Sequence, residues 1–470
     1  MIKKHPLIIL FFTLIVIRSI LAFLTPLAAD ESYYLLWASH LDFSYVDHPG
    51  MVSWLNYLFI YIFREPLLAI RICSLSLFLG STFFIYKTIK LFTKDRSILW
   101  NTLIFYILIP YNFLIAITMQ VDQPMILFTA MSIYFFSKLL KTKNTLYFYG
   151  IGLTTGLGML SKYTFILVPS FMFAYVLFNN QYRKTLLSKK FFLSFLLSGV
   201  LLTPLLLWNI QHEFISFLFH TNRIGESNGI QYVLEYIMDQ LLYFSPVSLY
   251  FLIKAIRQEK KSEHRYFLYF GIFIFSVFFV LSFLTKVWGH WTATMFIPLA
   301  IFLGISLKAT LRKVNRVMIG FNLLLIIMLL FSGPAIIPNY KAYRNNYNMK
   351  DSFSLVFKQE DSPIPIYADL HASVGHLSYY LQQDILFPEK EFKRKGVWGQ
   401  KQFEIWNNTK INKGDSILYF TNPKPEIIEK LKQYFGSVHV YSKPKLVVME
   451  SYINKYRFIL CSEARKPFEF

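Results

Sequence analysis

The sequence predicts a polytopic α-helical membrane protein of about eleven transmembrane helices, with a small C-terminal α/β extracytoplasmic domain. Three observations predict it. Of the 470 residues, 55% are hydrophobic and the mean hydropathy is +0.41, an excess over the roughly 45–50% apolar content of ordinary soluble domains. Apolar runs of helical length recur as far as residue 333, with Lys and Arg gathered in short clusters between them. Beyond Phe331-Ser332-Gly333-Pro334 the hydropathy falls and a polar tail begins.

A hydrocarbon core of about 30 Å needs roughly 20 apolar residues of helix. The runs that meet or approach this are 7–24, 68–91, 98–117, 124–140, 146–160, 164–178, 191–208, 238–257, 266–284, 291–307 and 317–333. The first has a basic start but no small-x-small cleavage site, and it is read as a retained helix. Alternate connections carry the positive charge: Lys3 and Lys4; Lys87, Lys90, Lys94 and Arg96; Lys138, Lys141 and Lys143; Arg183 and Lys184; Lys254 and Arg257; Lys308 and Arg312. The alternation stays in phase only if the short run 146–160 counts as a span. By the positive-inside rule the N-terminus is then cytoplasmic and the C-terminal domain is on the far side, the periplasm of a bacterial inner membrane.

The net charge of +21 is explained by these clusters, so no nucleic-acid partner is implied. In the tail, PIPIYADL, DSILYF and VHVYSKPKLVVMES have strand patterning, and PEIIEKLKQYF has helical spacing. The division expected is 1–333 for the membrane domain, with a first outer loop over 25–66, and 334–470 for the outer domain. Cys73 and Cys461 are too separated in kind, one in a span and one in the tail, to suggest a disulfide.

Chemistry-bearing residues gather on the outer side. DESYYLLWASHLDFSYVDHPGMVSWL, residues 30–55, places Asp30 and Glu31 after the first span, where partial desolvation tunes a carboxylate. Tyr33, Tyr34 and Trp37 follow, then Asp47 and His48 in a DHPG turn between two interfacial helices. The plainer reading of Asp30 is a helix cap. TMQVDQP brings Asp122, with the same alternative, and GLTTGLGMLSKYTF brings Lys162 at a helix break, a snorkelling residue or a phosphate contact. The glycines of that stretch follow no strand, so they are read as close helix packing rather than a nucleotide loop. LLWNIQHEFISFLFHTNRIGES adds His212, Glu213, His220 and Arg223, and TKVWGHW adds Lys286 and His290. His212, Glu213 and His220 depart from the H-E-x-x-H zinc spacing, so no cofactor is assigned and a divalent metal stays as the alternative.

These stretches, in this order, resemble the polytopic glycosyltransferases of the protein-mannosyltransferase and aminoarabinose (lipid A) transferase superfamily, whose shared fold is called GT-C. The resemblance is most specific in the first loop and covers about residues 1–333. It implies transfer of a sugar, with inversion, from a polyprenyl-phosphate carrier to a lipid or other glycoconjugate acceptor at the outer face. Asp30 occupies the position of the catalytic carboxylate, Glu31 its neighbour and Asp122 the second acidic position. Lys162 and Arg223 are matched to phosphate contacts, with Tyr33, Tyr34, Asp47, His48 and His212 as further substrate-binding candidates. The aminoarabinose transferases carry a lysine beside the first-loop prolines; here His48 stands there, and Gly50 replaces the second proline.

The residue types suit that chemistry on their own account. A phosphate-linked sugar has a good leaving group, so a carboxylate base and cations are what the protein must supply. A protein O-mannosyltransferase, or a transporter of lipid-linked sugars, would use similar material. A transporter, however, predicts midplane charges and an internal repeat, and neither is evident.

Overall fold

The computed structural model describes residues 6–25, 27–115, 117–221, 229–259, 263–331, 364–388, 392, 399–406, 410–441 and 457–469. By their contacts they form two units, Met1–Leu24 with Leu41–Leu324, and Thr25–His40 with Leu325–Phe470.

The first unit is helical. Its elements are α1 (Pro6–Leu24), and, numbering α2 for the helix of the second unit described below, α3 (Met51–Phe63), α4 (Pro66–Ile89), α5 (Arg96–Leu108), α6 (Asp122–Thr142), α7 (Tyr147–Met159), α8 (Leu167–Phe178) and α9 (Lys189–Gln211). They continue with α10 (Ile215–Thr221), α11 (Ile230–Phe244), α12 (Pro246–Gln258), α13 (Arg265–Leu281), α14 (Phe296–Leu307) and α15 (Leu311–Phe331). Local signals set the starts. Asp95 accepts from the Ser97 amide at 2.7 Å, Ser188 accepts from that of Phe191, and Pro66 and Pro246 sit in first turns, where no amide is missed.

Among the described residues, five helices are long and apolar enough to cross a membrane: α1, α4, α6, α9 and Gly289–Leu307. The helices α3, α5 and α13, and the segment Tyr163–Phe178, are apolar but shorter. The segment expected to span at 238–257 is not one straight helix: α11 and α12 meet there at 86°, so it counts as a sixth span only if the bent pair crosses as one. The cause is local. Ser245 has φ 76°, and Pro246 follows it, which disfavours helical geometry at the preceding residue.

The α7 glycines are interface positions, as the sequence suggested. A Cβ on Gly152 would lie 2.5 Å from the Ser194 carbonyl oxygen of α9, and one on Gly158 would lie 2.3 Å from the Phe165 ring. The close approach also lets Ser198 donate to the Gly152 carbonyl at 2.7 Å. Elsewhere in the unit, the buried Arg18 of α1 stacks over Phe78 of α4 at 3.8 Å and donates to the Asn112 carbonyl at 3.1 Å. A cation inside an apolar helix thus meets a ring face and a backbone oxygen.

The second unit holds α2 (Ala29–Trp37) and a five-stranded sheet with helices. Its later elements are β1 (Ile366–Ala368), α16 (His371–Leu381), β2 (Ile385–Leu386), α17 (Gln400–Trp406), β3 (Lys410–Ile411), β4 (Ile417–Thr421), α18 (Pro425–Tyr434), β5 (Phe435–Val440), β6 (Arg457–Ala464) and β7 (Phe468–Glu469). The sheet order is β2-β1-β4-β6-β5, parallel across β2-β1-β4 and antiparallel across β4-β6-β5; β3 and β7 pair separately. Tyr367, Ile417, Tyr419, Leu431, Phe435, Ile459 and Cys461 fill its core. The strands read at PIPIYADL and DSILYF and the helix of PEIIEKLKQYF are present. The strand read over 438–451 ends at Val440, most of its remainder lying outside the described residues, and β6, RFILCSEA, was not anticipated.

Candidate active site

Asp30 and Glu31 lie in the first turn of α2, and they do different things. The N-cap position is Ala28, and the Glu31 carboxylate reaches back to accept from its amide at 3.1 Å. Glu31 is therefore the capping carboxylate. Asp30 makes no cap. Its side chain is 50% exposed, with Oδ1 3.6 Å from Nε2 of His371 on α16. Tyr33, one turn along, is buried among Tyr34, Trp37 and Phe403, and its ring meets the His371 ring edge-on at 5.3 Å between centroids.

In the helical unit, residues 42–51 form a tight, internally bonded loop. Ser44 and Pro49 make an isolated antiparallel bridge, and the Tyr45 amide donates to the His48 carbonyl at 3.1 Å. The Tyr45 hydroxyl donates to Ser53 at 3.0 Å and accepts from the Asp42 amide; burial pushes its pKa up to about 12. Asp47 is fully buried and its carbonyl lies 2.8 Å from Nε2 of His220, while His48, half-buried, has its ring 6.0 Å from that of His220. The DHPG turn is thus fixed from behind by α10, where Ser216 also donates to the Tyr45 carbonyl at 2.9 Å.

Asp122 and Lys162 come together, which their 40-residue separation concealed. Lys162 Nζ donates to Asp122 Oδ1 at 2.8 Å, with side chains only 3% and 5% exposed. Asp122 opens α6 without capping it, and Lys162 stands at the break between α7 and the 3-10 turn Tyr163–Ile166 that leads into α8. The ion pair therefore ties the start of one helix to the gap between two others.

His212 stacks flat on Trp208 at 4.0 Å, and the Trp208 indole donates to Asp42 Oδ2 at 2.7 Å. Asp42 was not singled out in the sequence; it lies in the same loop as Asp47 but in no motif. Glu213 and Phe214 both take positive φ, 53° and 56°, in the turn that ends α9. Lys286 pairs with Glu235 at 3.0 Å and lies over Trp288. Arg223 lies outside the described residues. Among the described residues, no three His, Cys, Asp or Glu side chains are placed to hold a metal.

The chain superposes on ArnT from Cupriavidus metallidurans bound to undecaprenyl phosphate with a TM-score of 0.71, over 97% of this chain and 98% of that one, at 13% identity. The chain has the GT-C fold of this ArnT. The apo form of the same ArnT gives a TM-score of 0.69 at 13% identity, covering 96% of this chain and 97% of that one. Residues 47–208 match the family described as dolichyl-phosphate-mannose-protein mannosyltransferase. That segment of the GT-C fold holds Asp47, His48, Asp122 and Lys162. The lipid A galacturonosyltransferase RgtD of Rhizobium johnstonii is 21% identical over 343 residues, 69% of this chain and 70% of that protein.

Proposed function

We propose that this GT-C protein is an inverting glycosyltransferase that moves a sugar from a polyprenyl-phosphate carrier to lipid A or a related envelope lipid. The transfer takes place at the outer face of a bacterial inner membrane, with the N-terminus cytoplasmic and the C-terminal unit periplasmic. What supports this most is the fold shared, over 97% of the chain, with a protein crystallised with undecaprenyl phosphate; the RgtD likeness favours lipid A as acceptor.

In this reading the acceptor oxygen bonds to the anomeric carbon as the carbon–oxygen bond to phosphate breaks, and the bonding pair departs with the polyprenyl phosphate. Asp30 takes the acceptor hydroxyl proton. Of the two acidic stations it is the half-exposed one, whereas the charge of Asp122 is already met by Lys162. If the acceptor is itself a phosphate, no proton moves and Asp30 orients it. Asp122 acts through Lys162, fixing an ammonium that, with His48 and Arg223, offsets charge on the leaving phosphate. Glu31 holds the start of α2, while Tyr33 and Tyr34 in the sheet unit, and separately Asp47 and His212 in the helical unit, remain the further substrate-binding candidates. The match of residues 47–208 to protein mannosyltransferases supports a protein hydroxyl as the alternative acceptor.

Native mass spectrometry of the purified protein with undecaprenyl phosphate, and separately with undecaprenol, tests the donor class. A one-to-one complex with the phosphate alone is expected. Equal retention of the alcohol would contradict recognition through the phosphate.

A further inference from the structure

Asp30 is served by a side chain from the far end of the sequence. Residues 371, 372, 375 and 376 form one face of α16, following the three- and four-residue spacing of a helix. That face is laid against α2. A Cβ on Gly375 would lie 2.6 Å from the Ser32 backbone, so only glycine permits the approach. Ser32 donates to the Ala372 carbonyl at 3.4 Å, and Nε2 of His376 lies 3.0 Å from the Leu27 carbonyl just before α2 begins. With the two helices held this closely, His371 at the head of α16 meets Asp30 and Tyr33, which share a face of α2 three residues apart. Gly399, with φ 77°, backs the histidine, its position for a Cβ 3.0 Å from the His371 Cβ.

We propose that His371 is a positioning residue for Asp30, so that a side chain of the C-terminal sheet unit orients the carboxylate that serves sugar transfer. The proposal rests on the assignment of Asp30 given above. At 3.6 Å the two groups are in ion-pair reach but longer than a hydrogen bond. Such contacts tighten when substrate binds. Tyr33 walls one side of the imidazole, and the histidine's own backbone is fixed by the α16–α2 contact. The imidazole is thereby confined to one neighbourhood, as an orienting group must be. Among the described residues, the titratable groups beside it include Tyr33 on α2 and His376 one turn further along α16. Asp369, two residues before it, accepts from the Thr421 hydroxyl at 2.8 Å.

The test uses full-length protein and membranes from a strain lacking it, which supply donor and acceptor lipids together. Transfer is followed by the mass gain of the acceptor lipid. H371Q and H371A are each expected to slow turnover by roughly 10-fold or more, the scale of a misplaced reacting group, with apparent KM unchanged. H371Q should also change the shape of the pH–rate profile, a change that a merely structural role would not produce. D30N with H371Q should be no slower than D30N alone. H439Q, on an exposed position of β5 in the same unit, is the control at wild-type rate. If H371Q keeps the wild-type rate and pH profile while D30N is inactive, the proposal fails and the role of Asp30 stands. If H371A is slow only in proportion to lost folded protein and H371Q is normal, the proposal also fails. If D30N itself transfers at the wild-type rate, the Asp30 assignment falls, and this proposal with it.

Discussion

At the scale of single residues, the two acidic stations differ in what surrounds them. Asp122 and Lys162 are both nearly fully buried and satisfy one another at 2.8 Å. Removing one member leaves the other charge uncompensated in an apolar surround, at a cost of about 3–5 kcal/mol, whereas replacing both with apolar residues is often tolerated. Thermal unfolding in detergent should therefore show K162M strongly destabilised and D122L/K162M substantially recovered. If the single and double variants melt together, the pair does not hold these helices. Both residues were visible in the sequence as charges within apolar stretches. Their pairing was not, because nothing in local patterning connects positions 40 apart. The same applies with more force to Asp30 and His371: the acidic pair announces itself after the first span, while His371 is one histidine in an undiagnostic tail. The plainer reading of the sequence, with Asp30 as the cap of α2, does not hold. Helix phase alone cannot decide which carboxylate caps, because that turns on where the chain enters the helix, and the chain enters so that Glu31 caps.

At the scale of elements, α7 shows how a short apolar helix is made useful. Its glycines buy proximity to α9 and to the segment that follows, at the expense of helix propensity. Adding a methyl at Gly152 meets the Ser194 backbone at 2.5 Å, which cannot swing away as a side chain can. G152A should lower stability by about 1–3 kcal/mol. G199A on α9, where nothing lies within 4 Å of the new carbon, should be neutral or stabilising by up to about 1 kcal/mol. Melting temperatures of the two variants side by side decide it, and equal loss in both would mean general helix disruption. Among the described residues, five of the eleven expected spans coincide with helices long and apolar enough to cross a membrane, because hydrophobic length is a direct consequence of the bilayer as solvent. The bent pair α11–α12 was not legible. Its 86° break rests on Ser245 and Pro246 inside a run whose hydropathy is otherwise unbroken. In the tail, β4 and the following helix were readable from their own periodicity. The strand β6 was missed because its partners, β4 and β5, lie earlier in the chain and determine its burial.

At the scale of the whole molecule, stability should depend on pH through the sheet unit. His376 is fully buried there, with Nδ1 2.8 Å from the Ala372 carbonyl and Nε2 3.0 Å from that of Leu27. Burial lowers its pKa below the ordinary 6.5 and outweighs the two carbonyls, which favour the charged ring. The unfolded chain then binds a proton that the folded chain resists. This contribution to stability is complete above pH 6.5 and is lost as pH falls below that value. Unfolding followed from pH 7.5 to 5 should show the unit weakening on acidification, with a shallower slope in H376Q. An unchanged slope would place the pH dependence elsewhere.

The central claim is that Asp30 serves a sugar transfer onto an envelope lipid, and envelope lipid composition reads it most directly. Lipids and glycoconjugates would be extracted from cells carrying the wild-type gene, a deletion and Asp30→Asn, then compared by mass spectrometry, with the variant's membrane level checked. One lipid component is expected to lose a sugar-sized mass in the deletion and equally in Asp30→Asn, and the missing mass identifies the sugar. A deletion that loses this mass while Asp30→Asn retains it would contradict the assignment of the carboxylate. No glycan change in either strain would contradict the transferase itself.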